Sequence, residues 1–509
     1  MCGIGGIFNL EKSTIFELNN KITSLMSKIA HRGDSNRFNE NIVRNNFALS
    51  TNRLAIVDRE IAIQPISDTE KDIHVVLNGQ IYNYKKLRDE MSLLGYEFHN
   101  KGDAEVILAA YICYGKSFVK KLDGMFSFII FDNKNNKFLL ARDHVGIKPL
   151  YYSKKGVDWY VASEQKSLIE FGSEIYTLEP GTIFDGYTHD KYINYDSTID
   201  SKDDFNFAKN KVFCLLDEAV SKRVDTDLPI SVMFSGGIDS AIILYLANKH
   251  HDNVTAISFG VPGSSDIDIA VRYCAENNIK HIVYTFSNDD LIRNINDSIY
   301  FGEFFEKIDI IDSAIAHFGY YVANKFGFKI ALCGEGSDEI FAGYDLFKTS
   351  SSPRELSHYR LKNLHRTDLQ RVDRASMRNT VEARVPFMDS ALVPYILSLD
   401  FSYKLYGNIE KHILREAFRD KLPDYIVDRP KIRMPDGSGV KNIIVDYIDT
   451  CETNLPKSVV SKLNEIGLTD EGSIFLAEKY LSYNYPIPTQ RFKEVNKDFS
   501  ESGYFDFIS

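Results

Sequence analysis

Two adjacent glycines stand between an apolar run, Pro229-Ile230-Ser231-Val232-Met233-Phe234, and a helical stretch from Ala241 to His250. A strand that turns through glycine straight into a helix needs a way back to the sheet. The β-rich run Val254 to Phe259 supplies the returning strand. This βαβ spacing commits the second half of the chain to a parallel sheet covered by helices. Ile282-Val283-Tyr284 and Lys329-Ile330-Ala331-Leu332 are predicted as further strands, Phe207 to Val224 as a helix, and residues beyond about 340 mainly as helix. The turn itself reads Phe234-Ser235-Gly236-Gly237-Ile238-Asp239-Ser240. Its glycines let backbone N–H groups converge on an oxyanion at the helix N-terminus, where the helix dipole also favours negative charge. Ser235 and Ser240 add hydroxyl donors. Asp239 would repel a bare phosphate, so its place here calls for a magnesium ion bridging phosphate oxygens.

No lysine follows the turn, and the Walker pattern occurs nowhere in the chain, which excludes a loop of that kind. The form SGGxDS is instead that of loops in enzymes that cleave ATP between its α- and β-phosphates. The plain alternative is a glycine-rich turn in which Asp239 and Ser240 merely cap a helix. A second cluster, Cys333-Gly334-Glu335-Gly336-Ser337-Asp338-Glu339, follows the strand predicted to end at Leu332. At the carboxyl end of a parallel strand such a loop lies in the ligand crevice of an open sheet. Glu335 is then a candidate base for an incoming amine and Asp338 a second magnesium ligand. A solvated acidic loop is the other reading; recurrence of one loop type after two strands favours chemistry.

The first 190 residues have a different texture. Short β-rich runs at Phe47–Ser50, Ile73–Asn78, Gly124–Phe131 and Lys137–Ala141 are bounded by Asn, Asp or Gly. Apolar spacing predicts helices over Tyr84–Leu94 and Ala104–Tyr114. The stretch Asp190–Phe207 is polar and linker-like. We therefore expect a domain at 2–190, a linker at 191–206 and a second domain at 207–509, since a chain of 509 residues is too long for one core.

A net charge of −11 without any long Lys/Arg run argues against nucleic acid or an anionic membrane as partner. The cysteines at 2, 113, 214, 274, 333 and 451 form no CxxC pair, as expected in a reducing compartment without disulfides or structural zinc. The apolar stretch from Met125 to Phe131 falls far short of the ~20 residues of a membrane span, and nothing reads as a signal peptide. A soluble cytoplasmic protein is expected, and a homodimer is compatible with the sequence.

The chain opens Met1-Cys2-Gly3-Ile4-Gly5-Gly6. Removal of one methionine leaves Cys2 with its thiol and a free α-amine on the same residue. An α-amine has a reference pKa near ~8, so it can serve as base to the thiol, the self-contained pair of N-terminal-nucleophile hydrolases. A buried structural thiol is the alternative.

Cys2-Gly3-Ile4, His31-Arg32-Gly33-Asp34, Asn52-Arg53-Leu54-Ala55-Ile56-Val57, Asn78-Gly79-Gln80-Ile81-Tyr82-Asn83 and Gly102-Asp103 resemble class II glutamine amidotransferase domains. SGGIDS at 235–240, SFGVPGSSD at 258–266, GEGSDEIFAGY at 334–344 and RVDRASM at 371–377 resemble the synthetase domain of glutamine-hydrolysing asparagine synthetases. EARVPFMD at 382–389, EKHILREAF at 410–418 and RPKIRMPDGSG at 429–439 continue the match in the same order.

The resemblance implies an α+β N-terminal-nucleophile hydrolase domain of stacked antiparallel sheets with helices. An α/β parallel-sheet ATP-pyrophosphatase domain with extra helices follows it. Cys2 would attack the side-chain amide of glutamine, release ammonia and leave a thioester that water clears. Arg53 would take the α-carboxylate of glutamine and Asp103 its ammonium, within a pocket that includes Leu54, Ala55, Ile56, Val57 and Gln80. Asn78 and the backbone at Gly79 would be oxyanion donors. In the second domain Phe234, Ser235, Gly236, Gly237, Asp239, Ser240, Val261, Cys333 and Gly334 match ATP-binding positions. Asp239 and Asp338 match ligands of a magnesium–pyrophosphate group. Glu335 matches the acid needed around adenylate formation and amine attack, and Lys411 the cation that stabilises the charged intermediate. ATP and a carboxylate would give an acyl-adenylate, which ammonia, carried through an internal channel in this family, turns into an amide.

Two departures bear on substrates. Gln80 stands where the family usually has glutamate, so a hydrogen-bond acceptor is kept and a charge lost. Within Glu303–Ser313, related enzymes carry a threonine pair and an arginine facing the pyrophosphate and the acceptor. By spacing, Ile308, Asp309 and Ile311 stand there instead. Aspartate, giving asparagine, AMP and pyrophosphate, is the leading expectation; another carboxylate, such as a sugar acid or biosynthetic intermediate, is the alternative. A cyclising amide ligase of the β-lactam-synthetase kind typically lacks the nucleophile that Cys2 supplies. A non-enzymatic role leaves both the thiol and the SGGxDS loop without purpose.

Overall fold

The computed structural model describes residues 2–8, 13–34, 39–172, 174–195 and 200–488; the end of the tail and part of the linker lie outside these. The chain forms two compact units, Met1–Asn194 with Met377–Thr380, and Tyr195–Ser376 with Val381–Ser509.

In the first unit the elements run β1 (Gly3–Phe8), α1 (Ile15–Ser27), β2 (Asn39–Val43), β3 (Phe47–Asn52), β4 (Ile66–Asp68) and β5 (Ile73–Ile81). They continue with α2 (Tyr84–Leu93), α3 (Ala104–Tyr114), β6 (Gly124–Asp132), β7 (Lys137–Arg142), β8 (Tyr151–Lys155) and β9 (Asp158–Ala162). Three short strands, β10 (Tyr176–Thr177), β11 (Thr182–Phe184) and β12 (His189–Lys191), close the unit. Two antiparallel six-stranded sheets result, ordered β10-β8-β9-β1-β3-β2 and β12-β11-β7-β6-β5-β4. Ile4, Phe8, Phe47 and Leu49 of one sheet pack on Val76, Ile129, Phe131 and Leu140 of the other. Burying each such side chain contributes about 1.5–3 kcal/mol. Helix α1 starts at a reciprocal Thr14–Glu17 capping box and covers the outer face of the first sheet with Leu18, Ile22 and Leu25. Helices α2 and α3 cover the second sheet with Leu87, Met91, Val106 and Ile107. Because Gly3 pairs with Asn52, Cys2 is set at the mouth of the central strand of its sheet.

The second unit begins with α4 (Phe205–Arg223), β13 (Ile230–Met233), α5 (Ile238–His250), β14 (Val254–Gly260) and α6 (Ser265–Glu276). Then come β15 (Lys280–Thr285), α7 (Asn288–Gly302), α8 (Lys307–Lys325), β16 (Ile330–Leu332) and, after several helices, β17 (Glu382–Arg384). All five strands are parallel, in the order β15-β14-β13-β16-β17. The strand order reverses between β13 and β16, and the crevice at such a switch point is where open α/β sheets bind ligands. Helix α5 starts three residues before its predicted position because Gly237 takes the N-cap. Strand β17 was not predicted, since Glu-Ala-Arg does not read as a strand. Its charges are buried and paired, Arg384 with Glu382 at 2.7 Å and also with the carbonyl of Arg223. Among the described residues no helix is long and apolar enough to cross a membrane.

Candidate active site

Cys2 is held from both sides. Its backbone N–H donates to Asn78 Oδ1 at 3.1 Å, and its carbonyl accepts from Arg32 Nε at 3.2 Å. Arg32 is itself fixed by Glu164, 2.6 Å away and equally buried. With Oδ1 of Asn78 engaged, its Nδ2 is buried and has no protein partner. A buried orphan donor costs about 1–3 kcal/mol. An oxyanion forming beside the Cys2 thiol is the kind of group that satisfies it.

Gly79 has φ +143°, and a Cβ there would come within 2.0 Å of the Met125 carbonyl, so only glycine lets β5 pass β6 so closely. Gln80 is buried at the next position. Asp103 is tied to the same strand, its Oδ2 accepting from the Ile81 N–H at 3.0 Å. The guanidinium of Arg53 donates to the carbonyls of Val57, Asp58 and Arg59 at 2.9–3.1 Å, which shapes the loop that follows it. Within that loop Leu54, Ala55 and Ile56 are buried and Val57 is half-buried, and the Ala55 N–H donates to Asp34 Oδ2 at 3.2 Å. The structure thus brings Cys2 and Asn78 into contact and groups Gly79, Gln80 and Asp103 along β5. Arg32 and Glu164 were given no role by the sequence, although Arg32 lies inside a quoted motif.

In the second unit the two glycine loops leave the carboxyl ends of β13 and β16 and abut. A Cβ on Gly334 would lie 2.9 Å from that of Asp239, and Ser337 Oγ donates to Asp239 Oδ1 at 2.8 Å. The hydroxyls of Ser235 and Ser240 close the first loop, Ser240 Oγ donating to the Gly237 carbonyl at 3.0 Å. Lys411 joins the two loops: its buried ammonium lies 2.6 Å from both Asp239 and Asp338. Lys411 has φ +57°, a strained conformation for a residue with a Cβ, and it sits directly before helix His412–Phe418. Lys431 Nζ is a further 2.7 Å from Asp338. Partial burial pushes the Asp338 carboxyl up, but the Lys411 and Lys431 ammoniums outweigh it and hold the group well below the usual carboxylate range.

Phe234, Ser235, Gly237, Asp239, Ser240, Cys333, Gly334, Glu335, Asp338 and Lys411 all line one cavity. Gly236 and Val261 do not; Val261 instead donates its N–H to the Ser438 carbonyl at 3.1 Å. Cys333 is a buried thiol pushed far up by that burial, with Glu335 adding to the shift. Glu335 faces Arg371 at 3.8 Å. Sequence reasoning missed Lys431 and Arg429, the latter bonded to the Ser235 carbonyl at 3.1 Å and to Asp266 at 2.7 Å. Both belong to RPKIRMPDGSG, whose three cations were a usable signal next to a phosphate-type loop.

Comparisons with known proteins agree with this arrangement. The family model for the glutamine amidotransferase domain matches residues 1–199, and that for asparagine synthase matches 211–355 and 346–474. Asparagine synthetase B (glutamine-hydrolyzing) of Escherichia coli K12 is 32% identical over 478 residues, 88% of this chain and 84% of that protein. The glutamine-hydrolyzing asparagine synthetase of Asparagus officinalis is 31% identical over 491 residues, 91% of this chain and 81% of that one. That of Sandersonia aurantiaca is 33% identical over 419 residues, 77% and 79% of the two chains. The thiol-bearing antiparallel unit and the paired glycine loops are therefore the two halves of one known architecture, and the chain belongs to the asparagine synthase family.

Proposed function

We propose that this protein is a glutamine-hydrolysing asparagine synthetase, converting aspartate, ATP, glutamine and water into asparagine, AMP, pyrophosphate and glutamate. Cys2 attacks the glutamine amide, with its α-amine as base once Met1 is removed; ammonia leaves, and water hydrolyses the resulting thioester to glutamate and the free thiol. Asn78 Nδ2 and the backbone at Gly79 stabilise the oxyanion, while Arg53, Gln80 and Asp103 hold the amino-acid end of the substrate. The second unit adenylates the acceptor carboxylate, and the ammonia made by the first displaces AMP. Glu335 serves the incoming amine as base, and Lys411 and Lys431 balance the charge of the departing pyrophosphate.

The observation that carries the synthetase half is the convergence of Asp239 and Asp338, from two loops, on one cation at the switch point of the sheet. Two hard carboxylate donors facing one point fit magnesium, which binds through one or two carboxylates plus substrate phosphates. Bound there, magnesium would neutralise phosphate charge. Six free cysteines suit a reducing, cytoplasmic setting.

The test is pyrophosphate release with ATP, magnesium and glutamine across a panel of carboxylates. Aspartate is expected to exceed every other acid by at least about tenfold, a difference within reach of one site-specific charged contact. Release with another acid and none with aspartate would overturn the assignment. In the first unit, Gln80→Glu restores a charge beside the substrate ammonium. It is expected to lower the KM for glutamine roughly 3- to 10-fold, with kcat for glutaminase little changed. An unchanged KM would place Gln80 outside the glutamine pocket.

A further inference from the structure

Glu306, Asp309 and Asp312 are spaced three apart at the start of α8, which puts them on one helical face, and all three line the cavity of the glycine loops. Asp312 is only 6% exposed. Its Oδ2 accepts from Arg371 at 3.1 Å and from Arg433 at 3.5 Å, whereas its Oδ1 is buried and has no hydrogen-bond partner. The Asp309 carboxyl makes no hydrogen bond or ion pair with any described residue. Burial, Glu306, Asp368 and Asp312 push its carboxyl well above the usual range, against a weaker pull from Arg371.

The cations around the cavity are already matched. Arg371 serves Asp312 and Asp368, Arg433 also Asp312, Arg429 Asp266, Arg360 Glu339, Arg415 Glu410, and Lys411 and Lys431 serve Asp239 and Asp338. What remains unmatched on this wall is acidic: the Asp309 carboxyl without a partner and, one turn further on, a buried Asp312 oxygen without one. A group with several N–H donors and a positive charge complements both and relieves the repulsion among the acids.

We propose that Asp309, together with Oδ1 of Asp312, holds the α-ammonium of the amino-acid acceptor, and that this contact selects amino acids over plain dicarboxylates. The inference rests on the reading of the second unit as an aspartate-adenylating site and deepens it. It gives the departure at position 309 a purpose: the side chain meets the acceptor's amine.

The experiment compares aspartate with succinate, which lacks only the amine, in pyrophosphate-release assays with glutamine as nitrogen source. Asp309→Asn is expected to raise the KM for aspartate roughly 10- to 100-fold, the span of one charge-assisted contact. The KM for ATP and the competitive Ki of succinate should stay within about twofold, the difference a lost amine contact does not reach. Asp309→Glu keeps the charge and is expected to recover most of the aspartate affinity. A purely structural role would move the aspartate and succinate constants together, which overturns the assignment, as does an unmoved aspartate KM. If the unaltered protein releases no pyrophosphate with aspartate, the parent reading fails and takes this one with it. Normal wild-type turnover with an indifferent Asp309→Asn variant overturns this one alone.

Discussion

Cys2→Ala is expected to reduce glutamine-dependent synthesis by about 10³-fold or more, the scale on which removing a nucleophile acts. Ammonium-dependent synthesis is expected to persist, because the cavity in which we place ATP is lined by residues of the second unit and none of the first. The first unit supplies the thiol with its own support: the Cys2 N–H donates to Asn78 Oδ1, and the Nδ2 of that amide is buried without a partner among the described residues. Glutamate formation and pyrophosphate release, measured in parallel with glutamine and then with ammonium chloride, give the two readouts. Loss of both activities would mean that Cys2 is needed for more than supplying nitrogen.

Lys411→Met should have an effect of similar size on the other half-reaction. The ammonium is buried and lies 2.6 Å from each of two carboxylates, so its removal leaves Asp239 and Asp338 facing each other with only Lys431 nearby. Breaking a buried pair in this way costs about 3–5 kcal/mol. Pyrophosphate release is expected to fall at least about 100-fold, as when one preorganised charge is removed from a transition state, while glutaminase activity continues. Magnesium should raise the melting temperature of the variant more than that of the wild type, since a dication can stand between the acids where the ammonium stood. Equal magnesium effects on both proteins, or wild-type turnover in the variant, would contradict the role given to Lys411.

Much of the architecture is legible in the sequence because local signals coincide with tertiary ones. The apolar run ending at Phe234, the glycines after it and the return at Val254 allow one topology, and the structure has it. The first unit announces its sheets less clearly. Strand β1 carries glycine at 3, 5 and 6, which lowers strand propensity, and it is a strand because its neighbours β3 and β9 pair with it on both sides. Strand β17 is hidden for the opposite reason: its charges look solvent-bound until Arg223 and the flanking strand are in place. Residues with a fixed spacing around a glycine turn can be placed from the sequence, and Asp239 and Asp338 do line one cavity. Lys431 and Arg32 cannot, because each acts on a partner distant in the chain, and only the fold sets the pairing.

The lysine bridge also bears on how the second unit assembles. Lys411 and Asp239 are 172 positions apart, and Asp239 and Ser337 98 apart, so none of these contacts forms until nearly the whole unit is in place. Loop-closure entropy puts such long-range pairing late along a folding path. The charges at the heart of the site are then absent from the early nucleus and resist unfolding more than they speed folding. A unit whose ion-paired cluster closes last has, on the function proposed above, made completion of the fold a condition for holding a nucleotide.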